Sequence, residues 1–477
     1  MVAGDAFLHD VAKKVVLASL REPDAILYRQ RILADCLEQP ETVRALYGMA
    51  VEAAECERKV WNWSSRYPDS VLHRSVDVLK LFVGLLKKLR HAADEHGPQF
   101  RSEGFTRLLG MLVRELGDEY LRRVEDHLAQ LAFRHGILIS AELGVGNKGT
   151  HYILRQPQQK RQKWTERLQS WIEQLPLRNR PPNVYEIADR DESGLRALSD
   201  LRGRGIGRVA AALAQSTDHI LSFFRLLQWE LGFYIGCLNL RDQLARKGEP
   251  LCFPVPRSTG RARLSSQGLY DVCLSLSVEE KVIGNEVSGD DKLLLMITGA
   301  NRGGKSTFLR SMGLAQLMMQ CGLFVSAESF AANVCHGLFT HFKREEDASM
   351  KSGKLDEELS RMSSIIDHLS TTSIVLLNES FASTNEREGS EIARQIVRAL
   401  LETGIKVFYV THLFDLAQGF YLAAREDTLF LRAERLAGGG RTFRLVQGEP
   451  LPTSYGEDLY RRIFGKFYDA AAAAPLG

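Results

Sequence analysis

Apolar residues recur at helical spacing through the first quarter of the chain, with almost no glycine between them. After Asp24, the run AILYRQRILADCL sets Ile26, Ile32, Leu33 and Leu37 on one helical face. Thr42 to Trp63 continues as a long amphipathic stretch. Val71 to Leu89 follows, with Val78, Leu79, Phe82, Leu85 and Leu86 on one side, and Phe105 to Phe133 reads as another long helix. The first half is thus expected to be packed long helices.

The pattern then shortens. Ile137–Leu143 and Tyr152–Arg155 read as strands around the turn-forming stretch Gly144-Val-Gly-Asn-Lys-Gly149, which predicts a β-hairpin. Next comes a basic segment, Lys160 to Leu175. Its Trp164, Leu168, Trp171, Ile172 and Leu175 share one helical face and read as core. Lys160, Arg161, Lys163 and Arg167 are left for solvent or, in the other reading, for nucleic acid. Pro181-Pro182 interrupts the pattern. Leu201-Arg-Gly-Arg-Gly-Ile-Gly-Arg208 reads as a flexible basic surface loop, able to wrap a phosphate. Residues 209–245 resume as a long helix with Ile220, Phe223, Phe224, Leu227, Leu231 and Leu238, ended by Gly248 and Pro250.

From Cys252 short strands, glycine turns and helices alternate, as in an α/β nucleotide-binding domain. Residues 293–298, 373–377 and 406–411 are apolar runs of buried-strand type. Glu388 to Thr403 is an amphipathic helix stopped by Gly404. The alanines at 470–474 read as a frayed tail. The expected organisation is a helical region over 1–248 with a small hairpin insertion, an α/β domain over 249–466 and a flexible tail over 467–477.

Composition narrows the class without naming a substrate. The 477 residues are 44% hydrophobic and 25% charged, ordinary for a water-soluble multidomain protein. With 62 basic against 59 acidic residues the net charge is +3, which neither demands nor excludes nucleic acid. The seven cysteines are scattered singly, with no C-x-x-C pair. This argues against a zinc site or a disulfide framework and for a reducing, cytoplasmic setting. No signal peptide is read at the N-terminus, and no apolar run is long enough to span a bilayer, so no membrane partner is expected.

The chemistry concentrates in LLLMITGANRGGKST, residues 293–307. Gly299-Ala-Asn-Arg-Gly-Gly304-Lys305-Ser306 fills every position of G-x-x-x-x-G-K-[ST], between a strand and a helix. Glycines let backbone N–H groups turn onto phosphate oxygens, and the helix N-terminus adds partial positive charge. In this motif the lysine, Lys305, reaches the β- and γ-phosphates, and the hydroxyl, Ser306, holds Mg²⁺. An ATPase also needs a group that activates water and one that senses the γ-phosphate. Glu379 follows the strand run 373–377 directly, where it can deprotonate water. Asn378 takes the metal-side position with an oxygen acceptor but no charge. His412 follows the strand at 406–411, in reach of the γ-phosphate or the water.

These segments together resemble the ATPase domain of the MutS family of mismatch-repair proteins. The resemblance runs in order through ITGANRGGKSTFLRSMGLAQLMMQCGLFVSAES, SIVLLNESFASTNEREG, FYVTHLFDLA and PTSYGEDLYRRIFG, covering about residues 250–466. PDAILYRQRILADCL and the helix at 213–245 resemble that family's helical core and lever more faintly. The resemblance implies an ABC-type P-loop ATPase fold with ATP and Mg²⁺ as cofactors. Gly299, Asn301, Gly303, Gly304, Lys305, Ser306, Thr307 and Asn285 would bind nucleotide, Ser306 and Asn378 the metal, and Glu379 and His412 would be catalytic. Ser352 and Gly353 open a segment, 352–358, at the place of the family's signature loop, which completes the site of an opposing subunit. Ser383-Thr384 would face that subunit. A homodimer is therefore implied.

Departures qualify the implied function. Asn378 replaces an aspartate, which implies slow hydrolysis. Val282 stands where mismatch-repair enzymes place an aromatic against adenine. The chain has no room before its helical region for mismatch-reading and connector domains, and it contains no Phe-x-Glu wedge motif. The expectation is a dimeric ATPase that clamps duplex or branched DNA without reading single mismatches. It would act in DNA repair or recombination, with other repair or recombination proteins as further partners. The alternatives are a nucleotide-gated assembly factor acting on protein or RNA, or a nucleotide-binding subunit with little hydrolysis. The missing L-S-G-G-Q signature and transmembrane segment argue against a transporter ATPase.

Overall fold

This computed structural model describes residues 4–61, 68–133, 136–155, 187–188, 191–343, 353–436, 439–452, 455 and 460. The basic tryptophan segment 160–175, Pro181-Pro182, Ser352, the Ser454 and Gly456 positions of the terminal turn, and the tail 467–477 lie outside the described residues. The chain divides into two compact units. One comprises Glu41–Phe100 and Phe105–Leu231; the other comprises Met1–Pro40, Arg101–Gly104 and Gly232–Gly477. Division by compactness thus differs from a linear division at 248, because the unit with the phosphate loop also takes in the first forty residues.

The first of these units is built on long helices. Pro40–Trp61 and Pro68–His96 realise the first two amphipathic patterns. The expected single helix over 105–133 is two, Glu103–Glu115 and Asp118–Leu131, because Gly117 takes an extended conformation and caps the second. The helix Glu192–Ala245, whose residues to Leu231 belong here, begins well before residue 209. The expected basic loop at 201–208 is therefore helical. Glycine in a helix costs roughly 1 kcal/mol relative to alanine, but packing overrides that cost here. A Cβ on Gly205 would collide with Ile139, and one on Gly203 would touch Pro68 at ordinary contact distance. Just after them, Ile206 and Ala210 are buried against Leu72. The predicted hairpin is present, with β1 (Leu138–Leu143) antiparallel to β2 (Gly149–Arg155). Ile137 and Leu154 pack on the same cluster.

The other unit carries two sheets. The smaller has β3 (Val255–Arg257), β4 (Leu264–Leu269), β5 (Asn285–Ser288) and β7 (Ser329–Asn333), in the order β3-β7-β4-β5. The larger has β6 (Leu294–Gly299), β8 (Leu338–Phe342), β9 (Ile374–Asn378), β10 (Lys406–Val410), β11 (Thr428–Arg435) and β12 (Arg441–Gln447), in the order β12-β11-β6-β10-β9-β8. All neighbours in it are parallel except β11 and β12. Every residue of β6 and β10 is buried, which is why both read as unbroken apolar runs. Helices Glu386–Glu402 and Phe414–Leu422 cover one face, where Val397, Leu401 and Leu416 pack on Leu377, Val407 and Tyr409. In the N-terminal part of this unit, Asp35 accepts the Arg101 and Ser102 amides. Among the described residues, no helix is long and apolar enough to cross a membrane.

Candidate nucleotide site

Parallel pairing fixes the site. Val410 lies opposite Asn378 in β9 and opposite Ile297 in β6, so the carboxyl ends of the three strands stand side by side. In open α/β sheets, ligands bind beyond those ends, where the strand order reverses. Here β6 is flanked by β10 on one side and β11 on the other.

The loop leaving β6 is held in a conformation most side chains resist. Gly299 has φ +101° and Gly304 has φ +88°; a Cβ on Gly299 would come 2.9 Å from the Ala433 backbone nitrogen. Arg302 is left-handed as well, with φ +57°. Gly304 then caps the helix Lys305–Gln320, and this places that helix's unsatisfied N–H groups at the loop. Lys305 is buried, and its Nζ donates to the Gly299 and Ala300 carbonyls, each at 3.0 Å. Burial pulls its pKa down from 10.5 to about 8, against the attraction of Glu379 and together with the repulsion of Arg441.

Ser306, the next residue, donates from Oγ to Oδ1 of Asn378 at 2.9 Å. Glu379 turns out of β9 with φ +54°, a strained value for a non-glycine residue, and its amide donates to the Val410 carbonyl at 2.8 Å. That turn aims its carboxylate at His412, with Oε1 3.3 Å from Nε2. The His412 hydrogen bond holds the Glu379 carboxyl below its ordinary value, overcoming the opposite effect of burial; Lys343 and Lys305 add to the lowering. Asn285, at the start of β5, donates to the Phe443 carbonyl and accepts the Leu445 amide, 2.7 Å away. Phe443 in turn lies beside Gly304, 3.5 Å from where a Cβ would sit. Asn301 is engaged through its carbonyl, which accepts from Arg441 Nε at 3.1 Å.

The structure thus brings Asn285, Gly299, Asn301, Gly303, Gly304, Lys305, Ser306, Thr307, Asn378, Glu379 and His412 to one edge of the unit. Gly353 stands at the N-cap of a separate helix, Lys354–Ile366. Arg441 was missed by sequence reasoning; a lone arginine in a glycine-rich turn carries no signal of a partner 140 residues away. Beyond Asn285 a cavity of about 380 Å³ opens, lined among others by Glu249, Tyr270, Val282, Arg444 and Val446.

The donor set suits a triphosphate. The N-terminus of the helix Lys305–Gln320 supplies unsatisfied amides, and Lys305 has partners, two carbonyls, that phosphate oxygens can replace. Ser306 and Asn378 offer two neighbouring oxygens, the hard ligands that Mg²⁺ prefers, although neither is charged.

Comparison with known proteins finds family domains in both halves of the chain. The MutS2 N-terminal domain model matches residues 21–247, and the MutS domain V model matches residues 295–459. Mouse MutS protein homolog 4 is 25% identical over 197 residues, 40% of this chain and 21% of that protein. Endonuclease MutS2 of Thermus thermophilus is 33% identical over 186 residues, 38% of this chain and 24% of that protein. DNA mismatch repair protein MutS of Thermotoga neapolitana is 32% identical over 173 residues, 35% of this chain and 21% of that protein. The chain therefore spans no more than about a quarter of the length of these relatives. With one family domain matched in each half and the phosphate loop, acidic turn and histidine gathered at one sheet edge, the chain belongs to the MutS family.

Proposed function

We propose that this protein is an ATPase that couples ATP binding to the clamping of duplex or branched DNA, acting as a homodimer in repair or recombination. The observation that carries the reading is the convergence of the Ser306–Asn378 and Glu379–His412 pairs on the edge that holds the phosphate loop. ATP would displace the carbonyls from Lys305, whose ammonium then faces phosphate oxygens. Mg²⁺, when bound, neutralises charge on those oxygens; Ser306 and Asn378 would hold it. Glu379, whose ionised form His412 stabilises further, orients water and takes its proton at a carboxylate oxygen. His412 keeps that carboxylate aimed. Asn285 fixes β12 against β5 and so shapes the base side of the site. Because Asn378 brings no charge, turnover is expected to be slow.

DNA as substrate is supported by the relatives, two of which are named for mismatch repair and for an endonuclease. The helical unit adds Arg196, Arg204 and Arg208, exposed in a row along the helix Glu192–Ala245, with Arg196 paired to Glu192 and Arg204 over the Tyr152 ring. Such a row suits phosphate contacts, which make binding salt-dependent. One experiment tests both halves: ATP turnover of wild type, Lys305→Ala and Glu379→Gln, with and without duplex and branched DNA at two salt concentrations. Turnover lost in both variants and stimulated by DNA at low salt supports the reading. Turnover that ignores both substitutions and all DNA ends it.

A further inference from the structure

Glu379 occupies a strained turn, and the residues that hold that turn come from elsewhere in the sequence. His341, at the end of β8, has no exposed surface. Its Nδ1 lies 2.7 Å from Ser380 Oγ, and its Nε2 lies 3.0 Å from the Glu358 carbonyl. A carbonyl only accepts, so Nε2 carries the hydrogen, and Nδ1 of the neutral ring accepts from the Ser380 hydroxyl. The single hydroxyl proton is shared, because the His341 carbonyl, 2.8 Å from Ser380 Oγ, also only accepts. Burial, aided by Arg361, holds the imidazole pKa below its ordinary value, consistent with a neutral ring.

More contacts close the same unit. Phe381, left-handed at φ +63°, stacks on the His341 ring with centroids 5.4 Å apart. Ser383 donates to Glu358 Oε1 at 3.1 Å, and Tyr409 Oη donates to the Ser380 carbonyl at 2.6 Å. Glu358 is itself buried, one turn into the helix Lys354–Ile366 and at the end of the signature-like segment 352–358. Ser380, Phe381 and Ser383 are thus gripped by His341 and Glu358, with Glu379 immediately before them.

We propose that His341 is a positioning residue that locks the turn bearing Glu379 to the helix behind the signature-like segment. A shift of that helix then moves the carboxylate. This rests on the reading of Glu379 as the water-activating group. It makes 353–358 act on its own chain's base through Glu358 and His341, in addition to any contact it makes with another subunit. The link is short and packed, with every polar atom of the imidazole engaged. It is therefore suited to two discrete positions rather than gradual bending.

The test uses the full chain and three substitutions beside Glu379→Gln. Ser380→Ala deletes one oxygen from the link and leaves the core intact. His341→Leu removes both ring hydrogen bonds, and His341→Gln keeps a donor for the Glu358 carbonyl. Ser380→Ala and His341→Leu should each lower kcat by about tenfold or more, with KM and the ATP dissociation constant within about twofold of wild type. His341→Gln should recover part of the loss. The double variant should be no slower than the slower single one, because both break one link. If His341→Leu does not fold, Ser380→Ala alone decides. Wild-type kcat in Ser380→Ala, or losses that multiply in the double variant, overturn the link while Glu379→Gln remains inactive. Full turnover in Glu379→Gln instead overturns the assignment of the base, and the link with it.

Discussion

The Ser306 hydroxyl donates to the Asn378 side-chain oxygen over 2.9 Å, so the phosphate loop and the acidic strand are joined by two neutral groups. A carboxylate in place of Asn378 would accept the same hydrogen bond more strongly and add a charge beside the metal position. Asn378→Asp should therefore lower the Mg²⁺ concentration for half-maximal turnover by about threefold, a change of about 0.6 kcal/mol. Magnesium titration of ATP hydrolysis checks this. An unchanged midpoint would detach Asn378 from the metal.

Lys305 gives a pH dependence with a definite sign. Its buried ammonium loses its proton at about 8 rather than 10.5. Between those values the native state binds fewer protons at this site than the unfolded chain. Its contribution to stability is therefore present above 10.5 and is lost as pH falls through about 8. Phosphate needs the charged form, so ATP affinity runs the other way. The ATP dissociation constant should rise about tenfold from pH 7 to pH 9. Lys305→Ala should bind ATP too weakly to measure, and Lys305→Arg should lose the pH dependence. A flat wild-type profile would show that Lys305 does not face phosphate.

What the sequence reveals and what it hides follow from distance along the chain. β6, β9 and β10 are buried on both faces and so are written as continuous apolar runs. Their carboxyl ends carry the chemistry, so the loop, Glu379 and His412 were legible. The start of the helix Glu192–Ala245 was not, because Gly203 and Gly205 look like loop residues until Pro68 and Ile139 are seen against them. The break at Gly117 was hidden for the opposite reason, since apolar spacing carries on across it. His341 alternates in β8 like any strand residue. Its partners lie 17 and 39 residues further on, so no local pattern marks it.

His412 should control the acid limb of the rate profile. Its hydrogen bond is the main cause of the lowered Glu379 pKa, so ionisation of that carboxylate now survives to lower pH than for an ordinary glutamate. In His412→Ala the carboxyl moves back up, and activity should fail at a higher pH on the acid side than in wild type. Glu379→Gln should nearly stop turnover at every pH while leaving ATP binding within about twofold. An acid limb that does not move would separate His412 from Glu379 in function.

Assembly can be tested at Gly353 without disturbing the fold. Gly353 has φ −62° and ψ 156°, which any residue adopts, and among the described residues a Cβ there would meet nothing within 4 Å. It is also the N-cap of the helix Lys354–Ile366, where aspartate is favoured over glycine by a few tenths of a kcal/mol. Gly353→Asp should therefore keep or slightly raise the melting temperature. In a homodimer with shared sites the new carboxylate would meet the phosphates bound by the opposing subunit, and hydrolysis should collapse in a protein that is no less stable. Isologous pairing then predicts complementation. Gly353→Asp mixed with Lys305→Ala yields heterodimers in which one composite site has lost both features and the other has lost neither. The mixture should recover part of the wild-type rate although each parent is inactive. A mixture no faster than its parents, or sedimentation of a monomer at saturating ATP, would mean that each chain hydrolyses alone, with the segment 352–358 acting only on its own Glu379.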